Sequence, residues 1–153
     1  MISDVERGAK SPTVATLAAM ARALGVPMAV LVDGGAAVTG RIHVARAVER
    51  AEVVDPVSGA RRMSFGPALI GSKVEFLRYA VPPRTEAGPF AAHARGTIEH
   101  MHLAGGTIRA VFGSEAVMLE TGDSCTCLAD APHLFDNRAG DVEALIYIVV
   151  ERP

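Results

Sequence analysis

Up to about residue 33 the apolar positions recur at helical spacing; from about Arg41 onward they fall in short runs broken by Gly, Pro or Asp. In the first stretch Ile2 and Val5 lie three apart and Gly8 follows as a stop. Ser11-Pro12-Thr13 then reads as a helix start, with Ser11 as the cap and Pro12 at the first helical position. Val14, Leu17, Ala21 and Leu24 form one stripe on a helix that ends at Gly25. Val26-Pro27 opens a last short piece carrying Met28 and Leu31, stopped by Asp33-Gly34-Gly35.

The second stretch predicts strands at Ile42–Ala47, Arg61–Phe65, Val74–Val81, Thr97–Leu103, Thr107–Phe112, Ala116–Leu119, Ser124–Leu128, His133–Asp136 and Ala144–Val150. Evenly spaced short strands with Gly and Pro turns imply a sandwich, barrel or jelly roll. The domain organisation is therefore a helical unit over residues 1–35, a linker over 36–46 and a β domain over 47–153.

Composition narrows the function. At 153 residues, 50% of them hydrophobic, the chain has material for one core, and its formal charge of -2 excludes a strongly basic nucleic-acid binder or a polyanionic tail at whole-chain level. Cys125 and Cys127 cannot make a disulfide framework and read as small core hydrophobes. No apolar run approaches the ~20 residues that span a bilayer, and the first residues show no signal-peptide pattern. A cytoplasmic location and no membrane contact follow as expectations.

The segment Ile2-Ser3-Asp4-Val5-Glu6-Arg7-Gly8, followed by Ser11-Pro12 and by Ala23-Leu24-Gly25-Val26, resembles the second half of the helix-turn-helix of XRE (Cro/repressor-like) transcription factors. In that family a recognition helix ends in Glu-Arg-Gly and two helices precede it. The resemblance thus implies a shortened helix-turn-helix, with Ser3, Asp4 and Arg7 toward base edges and Lys10 on phosphate.

A second constellation lies in the β region. His93 precedes Glu99 by six residues and Gly106 follows seven later, while Gly122 precedes His133 by eleven and Asn137 follows four beyond. These spacings resemble the two cupin signatures, with Leu128 and Asp130 in place of the usual Pro and Gly. The resemblance implies a mainly β fold, a cupin (double-stranded β-helix) barrel of two packed sheets, with His93, Glu99 and His133 as metal ligands inside it. Arg95 occupies the position of the family's second metal histidine, and a guanidinium has no lone pair to donate. Two imidazoles and a carboxylate can still hold one divalent metal (Fe, Mn, Zn or Ni). The open alternative is a metal-free pocket in which Arg95, beside His93, Glu99 and His133, binds an anionic ligand. His100 and His102 alternate with Glu99 and so face outward, and His43 is a polar strand position.

Together the two parts resemble XRE–cupin regulators. The expectation is a non-enzymatic, homodimeric DNA-binding regulator whose barrel senses a small, anionic effector. The alternative is a small metal-dependent cupin enzyme of dioxygenase, isomerase or lyase type.

Overall fold

The computed structural model describes residue 7 and residues 12–26, 28–33, 42, 44–66 and 73–153. Ser3, Asp4, Lys10, the Ile2–Val5 segment and His43 lie outside them. Helix α1 spans Val14–Leu24 and α2 spans Met28–Asp33. The cap of α1 is Thr13, not Ser11: its Oγ1 accepts from the Thr16 N–H at 3.1 Å, so Pro12 lies before the helix instead of in its first turn. Gly25 ends the helix in the left-handed conformation, as the sequence predicts.

Ten strands follow among the described residues: β1 Glu52–Val54, β2 Arg61–Ser64, β3 Val74–Val81, β4 Glu86–Phe90, β5 Ile98–Gly105, β6 Thr107–Phe112, β7 Glu115–Glu120, β8 Ser124–Leu128, β9 His133–Asp136 and β10 Ala144–Glu151. They form a six-stranded sheet, β1-β2-β3-β10-β5-β8, facing a four-stranded sheet, β4-β9-β6-β7. The inner faces bury Leu103, Ile108, Phe135, Ile146 and Ile148. Alternation sets the phase: in β10, Ala144, Ile146, Ile148 and Val150 point inward while the residues between them are half-buried.

Three elements differ from the sequence expectation, and one is β1, which lies outside every expected strand and pairs with β2. The strand expected over Ile42–Ala47 is not there: Ile42 and Val44–Arg46 are irregular and Ala47–Glu49 form one 3-10 turn. Val44 and Val48 are β-branched but exposed, so nothing holds them in a sheet. Strand β4 was missed because Glu-Ala-Gly-Pro-Phe reads as breakers; it pairs with β9 only through a register shift between Ala87 and Phe90. The turn at Asp55 closes the β1–β2 hairpin, with the Asp55 carboxylate accepting from the Val57 and Ser58 N–H groups.

The helices pack on the barrel. Val14, Ala21 and Met28 are buried in the same cluster as the barrel's core, with Leu17 and Leu31 packed against it, and α1 contacts β4.

Candidate functional site

Strand parity and a loop bring three ligating side chains to one point. Glu99 lies on the inward phase of β5 and is 4% exposed. His133 opens β9 on the opposite sheet, and His93 is held on the loop before β5 by its N–H donating to the Ala129 carbonyl at 2.9 Å. His93 Nε2 lies 3.2 Å from Glu99 Oε1, and His133 Nε2 lies 3.7 Å from the same oxygen. One ligand atom from each of the three lies within 4.8 Å of the others. Metal–ligand bonds of about 2.0–2.2 Å place ligand atoms roughly 3–4 Å apart, so small side-chain rotations suffice to close the set on one ion.

The surroundings favour neutral imidazole at His133. Its Nδ1–H donates to the Ala131 carbonyl at 3.1 Å, which leaves the Nε2 lone pair facing Glu99. Burial lowers its pKa below the ordinary value, outweighing the upward pull of the Glu99 charge. Phe112 stacks on the ring at 5.0 Å and 9°, and Phe90 packs at 5.4 Å, which fixes its plane. Glu99 Oε2 is buried and has no hydrogen-bond partner among the described residues. An orphaned carboxylate oxygen beside two imidazoles is the donor set that a divalent cation completes.

These groups line a cavity of about 430 Å³, within the size range of small-molecule sites. Its wall is shared: Tyr79, Phe90 and Phe135 come from the barrel, and Ala18, Ala21 and Met28 from the helices.

The structure thus brings His93, Glu99 and His133 together and leaves Arg95 out. Arg95 is exposed on the turn before β5 and is absent from the cavity wall. The reason is local: the chain turns through Ala94–Gly96, with the Thr97 N–H donating to the Ala94 carbonyl at 3.0 Å, and points residue 95 to solvent. Of the DNA-contact candidates, Arg7 is exposed and the other three lie outside the described residues. His100 and His102 face outward, donating or accepting at Thr126 and Ser124. The thiols of Cys125 and Cys127 lie 3.8 Å apart, half-buried, and burial followed by the neighbouring Cys125 pushes Cys127 up to about 12, which keeps it protonated.

Sequence reasoning missed a charged group in the cavity. Arg62 and Arg152 both donate to the buried carboxylate of Glu75, Arg152 at 2.6 Å. The signal was present: Glu75 occupies the inward phase otherwise held by Leu77, Tyr79 and Val81. Asn137, matched as a signature residue, is structural; its amide nitrogen donates to the carbonyls of Val81, Pro82 and Val142.

Residues 1–31 match the family model described as Helix-turn-helix. No curated protein matches the chain in sequence. Among solved structures, an HTH_3 family transcriptional regulator from Vibrio cholerae superposes with a TM-score of 0.74 at 20% identity, covering 100% of this chain and 79% of that one. The cupin_2 domain of an XRE family transcriptional regulator from Enterobacter cloacae gives 0.56 at 17% identity, over 61% of this chain and 97% of that one. FeII HppE gives 0.64 at 20% identity, over 91% and 76%. At such identities the likeness shows the fold: a cupin barrel preceded by a few helices, joined to a helix-turn-helix sequence.

Proposed function

Starting from a helix-turn-helix sequence joined to a cupin barrel, we propose that the protein is a cytoplasmic DNA-binding transcriptional regulator whose barrel binds a small effector. One observation carries the reading: the cavity that holds His93, Glu99 and His133 is walled jointly by the barrel and by the helices that continue the helix-turn-helix sequence. A ligand in that cavity touches both, so occupancy changes how firmly the helices dock. Ser3, Asp4, Arg7 and Lys10 are proposed as its DNA contacts. Homodimerisation is part of the proposal, because helix-turn-helix proteins commonly read paired half-sites. The helices offer little for it, since Val14 is buried on the barrel and Leu17 and Leu31 pack there too. The outer face of the six-stranded sheet, where the tilted rings of Phe76, Tyr147 and Phe65 pack together, is the better candidate.

The test is selection of duplexes from a random DNA pool by the purified protein, repeated with Arg7→Ala. Enrichment of a paired motif, weakened at least about tenfold by the variant, is expected. No enrichment over a non-specific duplex overturns the DNA-binding reading.

A second reading has its own support. With Arg95 directed to solvent, the two-His-one-carboxylate set is free to hold a divalent metal with open positions, the arrangement of non-haem iron oxygenases. The cupin enzyme reading therefore stands as the alternative. When bound, such a metal supplies Lewis-acid or redox chemistry; His93, Glu99 and His133 would hold it, and Phe90 and Phe112 exclude water beside it. Metal analysis after growth with each of Fe, Mn, Zn and Ni separates the cases, with His133→Ala expected to lose the ion.

A further inference from the structure

The inner face of the six-stranded sheet carries a second polar row beside the ligating one. In the ladders, Val150 of β10 stands between Glu99 of β5 and Glu75 of β3. Glu151 likewise stands between Ile98 and Val74. Continuing each register by one residue sets Arg152 beside Thr97 on one side and Lys73 on the other; the Arg152 N–H donates to the Lys73 carbonyl at 2.7 Å. All three line the cavity. Two residues of strand separate this row from Glu99, a rise of about 7 Å.

The row is short of negative charge. Both Glu75 oxygens are taken, one by Arg62 and one by Arg152. Arg62 spends its other terminal nitrogen on Ser64 Oγ at 3.1 Å. Arg152 Nη1 is buried and has no acceptor among the described residues, and Thr97, 1% exposed, has its Oγ1 in the same condition. Arg22 of α1 and Lys73 add further positive charge to the same wall. A guanidinium nitrogen and a hydroxyl, both buried and both without acceptors, form a donor pair whose natural complement is an oxyanion. Beside them Leu77, Phe90, Ile148 and Val150 present an apolar surface.

We propose that the cavity holds an oxyanion subsite, Arg152 Nη1 with Thr97 Oγ1 and Lys73, which binds the charged group of a small amphiphilic ligand whose body lies along the apolar wall toward His93, Glu99 and His133. The assignment rests on the reading of this cavity as a ligand site and names its ligand class. It transfers the anion-binding role from Arg95, which faces solvent, to residues that neither signature contains. Because Arg22 belongs to the helices, a bound anion also draws α1 toward the barrel.

The experiment compares hexanoate, hexanesulfonate and the neutral hexanamide by calorimetry or ligand-observed NMR on the full chain, treated with chelator and dialysed. The two anions share the apolar body, and their ratio distinguishes a carboxylate site from a sulfonate-type one. The expected result is at least about tenfold tighter binding of one anion than of the amide, the range of a charge-assisted hydrogen bond. Arg152→Gln should abolish that preference, and Thr97→Val should reduce it about threefold to tenfold with amide binding unchanged. Thr97→Val keeps the shape of the side chain, so it carries the test if Arg152→Gln disturbs folding through Glu75. Arg95→Gln should leave the preference as it is. Equal binding of amide and anions overturns the oxyanion assignment and leaves the ligand cavity standing, as does a preference untouched by Thr97→Val. Binding of none of the three overturns both. An anion preference that alters neither helix docking nor DNA binding supports the subsite and overturns the regulator reading.

Discussion

The helices and the barrel share one cavity but hold their sides of it by different means. The barrel is closed by strand pairs that join distant parts of the chain: β10 lies between β3 and β5, and its inward residues meet Leu103, Ile108 and Phe135 in a common core. Helices α1 and α2, of 11 and 6 residues, are each too short to be stable alone in water. Their buried side chains, Val14, Ala21 and Met28, are buried against the barrel, while Leu24 of α1 remains 64% exposed. This asymmetry predicts that the barrel unfolds as a cooperative scaffold and that the helices dock on it in a local equilibrium.

The largest test of that asymmetry is in the barrel. Glu75→Ala leaves Arg62 and Arg152 without their carboxylate, one of them fully buried, and should cost about 3–5 kcal/mol in global stability at pH 7, read from urea unfolding. The pH dependence follows from the charge. Burial alone would raise the Glu75 pKa, but Arg62 and Arg152 together hold it below the usual 4.5. Its contribution is therefore complete above that value and is lost as pH falls through the lower, folded-state pKa. Wild type should begin to lose this increment as pH falls below about 4.5, and the gap to the variant should narrow from there. A gap that does not narrow as the acid limb is entered would show that packing, not charge, sets the effect.

Next in size is Gly106→Ala. Gly106 has φ 80°, and an added Cβ would lie 2.7 Å from the Glu143 carbonyl oxygen and 3.0 Å from Ala144 Cα. Neither is the end of a flexible side chain, so strain and overlap add, at about 2–4 kcal/mol for the whole barrel. Amides of β5 and β10 should exchange faster together, which distinguishes global from local loosening.

How much of this was legible differs between the same two regions. Strands β5, β6, β9 and β10 follow their alternating phase closely, and in β5 that phase sets Glu99 inside and His100 and His102 outside. The His93–Glu99–His133 cluster was legible because signature spacing and strand parity agree. The sequence left open which way Arg95 points, because spacing does not specify how a turn directs its middle residue. The Arg62–Glu75–Arg152 group was hidden because its members come from β2, β3 and the end of β10, and only pairing reveals that they meet. The helices were legible as helices, but their stripe did not say what covers it. An apolar stripe announces burial without naming the partner, and here the partner is the barrel's own cavity wall.

Met28→Ala examines the helical side directly. Met28 is buried, lines the cavity and is packed into the shared core, so truncation should cost about 2 kcal/mol. That cost should fall on docking alone: protection of α1 amides drops by more than tenfold, while the midpoint of barrel unfolding stays within about 0.5 kcal/mol of wild type. A matching fall in β10 protection would show that helices and barrel unfold as one unit, and the proposed separation would fail.

The smallest effect isolates backbone strain from packing. Gly25 shares the left-handed conformation of Gly106, at φ 66°, but an added Cβ there meets nothing within 4 Å. Its N–H caps α1 by donating to the Arg22 carbonyl at 3.1 Å, and alanine can keep that bond if it accepts the conformation. The cost of Gly25→Ala is then conformational only, about 1 kcal/mol. For an element that is merely docked, that amount increases the open population about fivefold, and α1 amides should exchange about five times faster with β10 unchanged. The two glycine variants thus carry similar backbone strain in different surroundings. If Gly25→Ala lowers barrel stability as Gly106→Ala does, α1 is part of the barrel's cooperative core, and a ligand between them could not shift one without unfolding the other.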